Sequence, residues 1–436
     1  MPKQFKDPGY LRHLSAEQLQ IDLIEARTLT KAYLEQWRTL TNDLRAKLPL
    51  HVEWNLPEWE AGHIAWFQEY WIARNPDRSL GCQANPHLAR LSSLMANSDA
   101  LYHSSVIAHD PRWNLPFPAP DALERYLDQG LEGTLNLLRE LSACDDLSQV
   151  KSSLYFFRLA LYHEDMHAEA ANYSINHYLH DVGRRLAVGE EITEMITSLT
   201  HAGVFAEMQS KPQLQEGGRS EQLMIQDGER QFGALSEMGF AFDNELPPFS
   251  RWVPPFSIDA TPVSVGDYGA FILAGGYQNS SYWSDEGWLW RSQQQVELPR
   301  FHRLNRGKFE RCSFGNWLEV REDSPIVHVT AYEAEAWCAW AERRLPTEHE
   351  WTSAAAEFPE AFIWGQVWEW TQSDFLPFNG FVAHPYVDYS QPWFTGYRVL
   401  KGASFATHHR MRNPIYRNFY VASRNDIYSG FRTCAR

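Results

Sequence analysis

The chain's 436 residues exceed what one compact core accommodates, so two domains are expected. Hydrophobic residues at 44% and charged residues at 22% describe a folded globular protein and exclude a disordered or fibrous one. A formal charge of −16 leaves no Lys/Arg surface for phosphate, which excludes nucleic acid as a partner and points to small molecules.

The opening MPKQFKDPGYLRHL lacks an apolar signal core, and no later stretch approaches the ~18 uninterrupted apolar residues of a membrane span. A cytoplasmic protein with no membrane partner, acting as a monomer or a dimer, is therefore expected. Five cysteines, Cys82, Cys144, Cys312, Cys338 and Cys434, include no C-x-x-C pair and suit a reducing compartment better than a disulfide framework.

From residue 15 to about residue 187 the sequence has long stretches without Gly or Pro, and apolar positions recur every three or four residues. Four helices are predicted, over 16–48, 57–74, 122–143 and 147–180, which suits an antiparallel bundle. Between the second and third, 75–120 is long and irregular, yet holds enough Leu, Tyr and Trp to pack. After a polar stretch over 209–230 the texture changes to short segments broken by Gly, Pro, Asn and Trp. This second half is predicted to be mixed α/β with much irregular structure and one clear helix over 330–343. The predicted division is a helical bundle over 1–195, a linker over 196–230 and a second domain over 231–436 that contributes a substrate pocket.

The sharpest chemical signal is LYHEDMHAEA, in which His163 and His167 stand four residues apart within a run free of Gly and Pro. On a helix both imidazoles then lie on one face, one turn apart, able to share a metal ion. The second helix offers a third ligand: Trp59, His63, Trp66 and Tyr70 follow at helical spacing, so His63 sits in an aromatic, inward-looking stripe. A lone histidine there is more often a core residue, but facing an H-x-x-x-H helix it reads as a ligand. Three neutral imidazoles without a carboxylate leave up to three positions open, which suits Fe(II) that takes both O2 and a substrate. Glu169 is either a partner orienting a ligand histidine or a plain salt-bridge residue. HEDMH also fits the H-E-x-x-H pattern of metalloproteases, with Glu164 as general base and Glu191 downstream. The size and type of the second half oppose that reading.

Together these residues resemble the iron-dependent sulfoxide synthases of ergothioneine biosynthesis, which join a DinB-like four-helix bundle to a formylglycine-generating-enzyme-type (C-type-lectin-like) domain. In the bundle the resemblance rests on GHIAWFQEYW and HEDMHAE. In the second half it rests on FAFDNELP, TPVSVGDYGAFI, SPIVHVTAYEAEAWCAWAERRLPTEHEW, GQVWEWT, GYRVLKGASF and SGFRTCAR. The fold class is accordingly α plus mixed α/β. The resemblance implies an Fe(II) cofactor, O2 as co-substrate and hercynine, a trimethylated betaine of histidine, as substrate. The surplus of 18 Trp, 19 Tyr and 24 Phe suits such a cation. By the same resemblance, Asn418 and Phe419 in YRNFY help hold hercynine, and a structural Ca2+ belongs to the second domain.

The departures from the family pattern concern the second substrate. Arg112 remains in the loop that clamps an amino-acid donor, but Phe117 stands where a second arginine is expected, and Tyr420 replaces an Asp. Met166 replaces a Gln before the second helix histidine, and Phe378 stands in LPFNGF where the family carries a tyrosine. Tyr386 or Tyr389 is then left to deliver protons. A doubly charged donor would go unpaired in such a pocket, so the pattern is similar to the selenoneine synthase branch, which takes selenium from a neutral selenosugar. An ergothioneine-type enzyme using cysteine or another thiol is the alternative. From a different class, the second domain is also compatible with a lectin-like binding module beside a vestigial metal site. Formylglycine generation relies on active-site cysteines near the C-terminus, where Cys434 stands alone.

Overall fold

The structure, a computed structural model, describes residues 12–43, 48–143, 152–183 and 221–436. Cys144, Glu191 and the polar stretch up to residue 220 lie outside the described residues. The chain divides into a helical unit, Arg12–Ile175 with Ala383–Tyr389, and a second unit that includes Asn176–Val382 and Ser390–Arg436.

The helical unit contains α1 (Ala16–Asp43), α2 (Pro57–Gln68), a short α3 (Ser98–Tyr102), α4 (Pro120–Ser142) and the part up to Ile175 of α5, which spans Tyr155–Gly183. Pro57 and Pro120 open their helices, where an absent N–H leaves no intrahelical bond unmade. The second predicted helix is shorter than 57–74: α2 passes into a π turn over Glu69–Ala73. There the Glu69 carboxylate accepts bonds from Tyr126 Oη (2.6 Å), Ser93 Oγ (2.6 Å) and the Leu94 amide (2.6 Å). The inward face of α1 buries Leu19, Leu23, Ala26, Leu34, Trp37 and Leu40 at helical spacing.

One buried ion pair ties the helices together. Arg27 on α1 donates from Nε to Glu164 Oε1 on α5 (2.9 Å), from Nη2 to Gln68 Oε1 on α2 (2.7 Å), and from Nη1 to the Leu127 carbonyl of α4. Thr30 donates to the same Glu164 oxygen at 2.7 Å. With both partners buried, the ion pair fixes which helix faces meet.

In the second unit, β1 (Gln222–Ile225), β4 (Phe256–Asp259), β13 (Cys434–Ala435) and β8 (Arg343–Arg344) form one sheet in that order. A second sheet runs β11 (Asn418–Val421), β10 (Tyr397–Gly402), β9 (Trp368–Asp374) and β12 (Ser429–Phe431). Two smaller ones pair β2 (Gly228–Phe232) with β3 (Phe249–Val253), and β5 (His302–Asn305) with β6 (Lys308–Ser313) and β7 (Asn316–Glu319). Among the described residues, strands begin at Gln222, inside the stretch expected to be linker. Ile225, Ile258, Trp351, Phe362 and Cys434 pack in a core beside the first sheet.

The helix expected over 330–343 is Ala331–Trp340, but it is one of four in this unit among the described residues. In chain order they are α6 (Val265–Leu273), α7 (Asp285–Gln294), α8 (Ala331–Trp340) and α9 (Glu348–Glu357). At nine or ten residues, the other three are too short to show a clear period. Their caps were legible, since Ser264, Ser284 and Thr347 each accept the amide hydrogen three residues on. Cys82, Cys338 and Cys434 are free thiols. No helix among the described residues is long and apolar enough to cross a membrane.

Candidate metal centre

His63 projects from the middle of α2 and His163 and His167 from successive turns of α5. His63 Nε2 lies 3.2 Å from His163 Nε2, and His167 Nε2 lies 3.2 Å from that same atom. The three ligand nitrogens fall within 4.8 Å of one another. Two imidazole nitrogens ~2.1 Å from a common ion stand about 3.0 Å apart at a right angle and about 3.4 Å apart at a tetrahedral one. The spacing thus fits an ion without choosing its identity.

The ring tautomers follow from what the other nitrogens meet. His63 Nδ1–H donates to the Tyr102 carbonyl (2.8 Å), and His167 Nδ1–H donates to Glu60 Oε2. Both Nε2 lone pairs are thereby turned toward the shared point. Burial, then the charge of neighbouring His167, pulls His63 down to about 3 and holds His163 well below its usual range, so both stay neutral ligands. Burial alone would raise the Glu60 carboxyl, but its contact with His167 outweighs burial and brings it to about 2.

Aromatic rings enclose the imidazoles. Trp59 stacks on His63 at 4.8 Å between centroids and 8° between planes, and Phe67 lies on His163 at 3.7 Å and 6°. Gly62 makes the Tyr102 bond possible: a Cβ there would stand 2.1 Å from a carbon of the Tyr102 ring. A glycine in mid-helix is otherwise unfavourable by roughly 0.5–1 kcal/mol.

Sequence reasoning missed Glu60 and left Glu169 open between an orienting partner and a plain salt-bridge residue; Glu60 is the carboxylate that meets His167 Nδ1. The signal was available, because Glu60 precedes His63 by three residues and so shares its helix face. Asn55 Nδ2 supports Glu60 Oε1 at 2.6 Å and in turn receives Arg112 Nη1 at 2.7 Å. Arg112 Nη2 donates to the Ile107 carbonyl at 3.0 Å, and the guanidinium stacks 3.8 Å from the Trp59 ring. Arg112 therefore reaches both ends of the constellation.

Glu164 is not placed as a protease base. Its oxygens are taken by Arg27 and Thr30, and the side chain is buried in the helix junction.

Of the remaining predicted residues, Met166, Tyr386 and Tyr389 belong to the helical unit. The Tyr386 ring centre lies 4.9 Å from that of Phe67 and 6.4 Å from that of His163. Burial raises its phenol well above the usual value, Asp388 adding to the effect while Ser104 and Arg112 oppose it. Tyr389 Oη points at Met166 Sδ, 3.9 Å away. Asn418, Phe419, Tyr420 and Phe378 belong to the second unit. Asn418 Oδ1 accepts the Phe419 amide (2.9 Å), and Phe419 stacks on Phe375 at 4.0 Å. Arg424 lies 5.2 Å from the Tyr420 ring, and Arg417 lies 4.2 Å from the Phe378 ring. Among the described residues of this unit, no three His, Cys, Asp or Glu side chains converge as metal ligands.

Residues 205–366 and 361–436 match the family model of the sulfatase-modifying factor enzyme 1-like domain. The chain is similar to a hercynine oxygenase of Mycolicibacterium thermoresistibile, with 28% identity over 86% of this chain and 86% of the relative. It is similar to a hercynine oxygenase of Mycolicibacterium smegmatis at 29% identity, covering 86% of this chain and 89% of the relative. Ergothioneine biosynthesis protein 1 of Schizosaccharomyces pombe is 23% identical over 95% of this chain and 57% of its own length.

Proposed function

The chain belongs to the sulfatase-modifying factor enzyme 1-like domain family, and we propose that it is an O2-dependent oxidoreductase that modifies hercynine, with Fe(II) held by His63, His163 and His167. The carrying observation is the convergence of three Nε2 atoms, with the tautomer of His63 set by Tyr102 and that of His167 by Glu60. Support for hercynine comes from relatives named for it that match most of the chain.

Bound iron would supply redox chemistry with dioxygen, with up to three positions left for oxygen and substrates. The chain's own share is orientation and exclusion of water: Glu60 and the Tyr102 carbonyl aim the imidazoles, and Trp59 and Phe67 cover them. Tyr386 keeps its proton through neutral pH and is the proton donor in this reading, with Tyr389 as the second candidate. In this reading Asn418 and Phe419 of the second unit contribute to hercynine binding. Tyr420 and Phe378 leave the second substrate without a charged clamp.

That second substrate is a neutral selenosugar, and the product carries a new C–Se bond. Arg112, engaged by Asn55, Ile107 and Trp59, is poorly disposed to clamp a carboxylate, and Phe117 near Tyr102 adds an apolar surface. The test is anaerobic mixing of the Fe(II)-loaded chain with hercynine and either a selenosugar or cysteine, then O2 and mass spectrometry. A coupled selenium product, absent with His163→Ala, is expected. A product from cysteine alone would replace the selenosugar reading with a sulfoxide synthase. No O2 consumption with either donor would leave a binding protein.

A further inference from the structure

We propose that the helical unit carries an accessory binding cleft for a small, net-positive organic cation of the choline type, separate from the hercynine residues named above. The cleft is walled by α1, α2, α5 and the segment before α2.

Three features define the occupant. Tyr33, Trp37, Trp54 and Tyr173 line the cleft, with the Trp37 and Trp54 rings stacked 5.8 Å apart. Such faces attract an ammonium group, most strongly a methylated one that sheds water easily. Glu53 and Glu60 also line it, and among the described residues no Lys or Arg does, so the field inside favours positive charge. Finally, Trp54 is only 5% exposed, and its indole N–H meets no acceptor among the described residues. A buried donor of this kind calls for an acceptor on the ligand.

An ammonium with a hydroxyl or carbonyl a few bonds away satisfies all three. A betaine satisfies them less well, because its carboxylate would face Glu53 and Glu60. This inference does not depend on the reaction proposed above. Because Glu60 and His167 are among the lining residues, the cleft lies against the metal centre.

The test is a calorimetric titration of the full chain with choline, glycine betaine and 3,3-dimethylbutan-1-ol, the uncharged isostere of choline. Choline should bind about tenfold more tightly than the alcohol, and more tightly than the betaine. Glu53→Gln and Trp54→Phe should each weaken it several-fold with melting temperature unchanged, while Asn418→Ala leaves it unaltered. Equal affinity for choline and the alcohol would overturn the proposal. So would indifference to both cleft variants, or loss of binding in Asn418→Ala, which would move the cation to the hercynine residues.

Discussion

Glu60, on α2, accepts the Nδ1 proton of His167, on α5, so a carboxylate from one helix orients an imidazole on another. The pairing fixes the His167 tautomer and raises the basicity of Nε2. Glu60→Gln keeps the shape but removes the charge. It is expected to weaken metal binding by about 10–100-fold, measured by competition with a chelator, while the protein stays folded. Unchanged affinity would mean that Glu60 is a bystander.

Gly62→Ala places a methyl group where the Tyr102 ring now lies. Alanine favours the helix by about 0.5–1 kcal/mol, but the displaced ring takes with it the carbonyl that receives His63 Nδ1–H. The expected result is a net loss of about 1–3 kcal/mol in chemical denaturation together with weaker metal binding. A more stable variant with full metal content would separate Gly62 from the site.

The Arg27–Glu164 pair gives a further test, since both side chains are buried. Arg27→Met leaves an uncompensated carboxylate and should cost about 3–5 kcal/mol, whereas the double change Arg27→Met, Glu164→Leu should recover a large part of the loss. Denaturant titration of the three proteins measures both. A peptidase activity abolished by Glu164→Gln would instead revive the metalloprotease alternative.

Acid should destabilise the fold through histidines buried in neutral form. In the second unit, burial and then the charge of Arg311 hold His302 at about 4, against 6.5 for a free side chain. Unfolded chains therefore bind one more proton here between pH 6.5 and 4. The contribution is fully present above pH 6.5, declines as pH falls through that window, and amounts to about 3 kcal/mol at most. His302→Gln should flatten the fall in melting temperature between those pH values. An unchanged slope would assign the acid sensitivity to His349 or His384, which burial also holds at about 4.

Much of this was readable before any coordinates. The spacing of His163 and His167, and the aromatic stripe around His63, depend only on helical periodicity, which is a local property of the chain. The change of texture after residue 230 separated a helical half from a sheet-containing one for the same reason. Short helices such as α6 and α7 escaped because nine or ten residues give too few turns for a period to stand out.

What the sequence by itself determined is therefore local: which residues share a helix face, where imidazoles alternate with rings, and which charges are scarce. Tertiary structure alone decided that Glu60 reaches His167, that Gly62 makes room for Tyr102, and that Glu164 is spent on Arg27. It also placed 383–389, some two hundred residues beyond α5, in the helical unit with Tyr386 near His163. Contacts of that kind depend on chain closure over long separations and on side-chain volume, neither of which leaves a periodic trace in a single sequence.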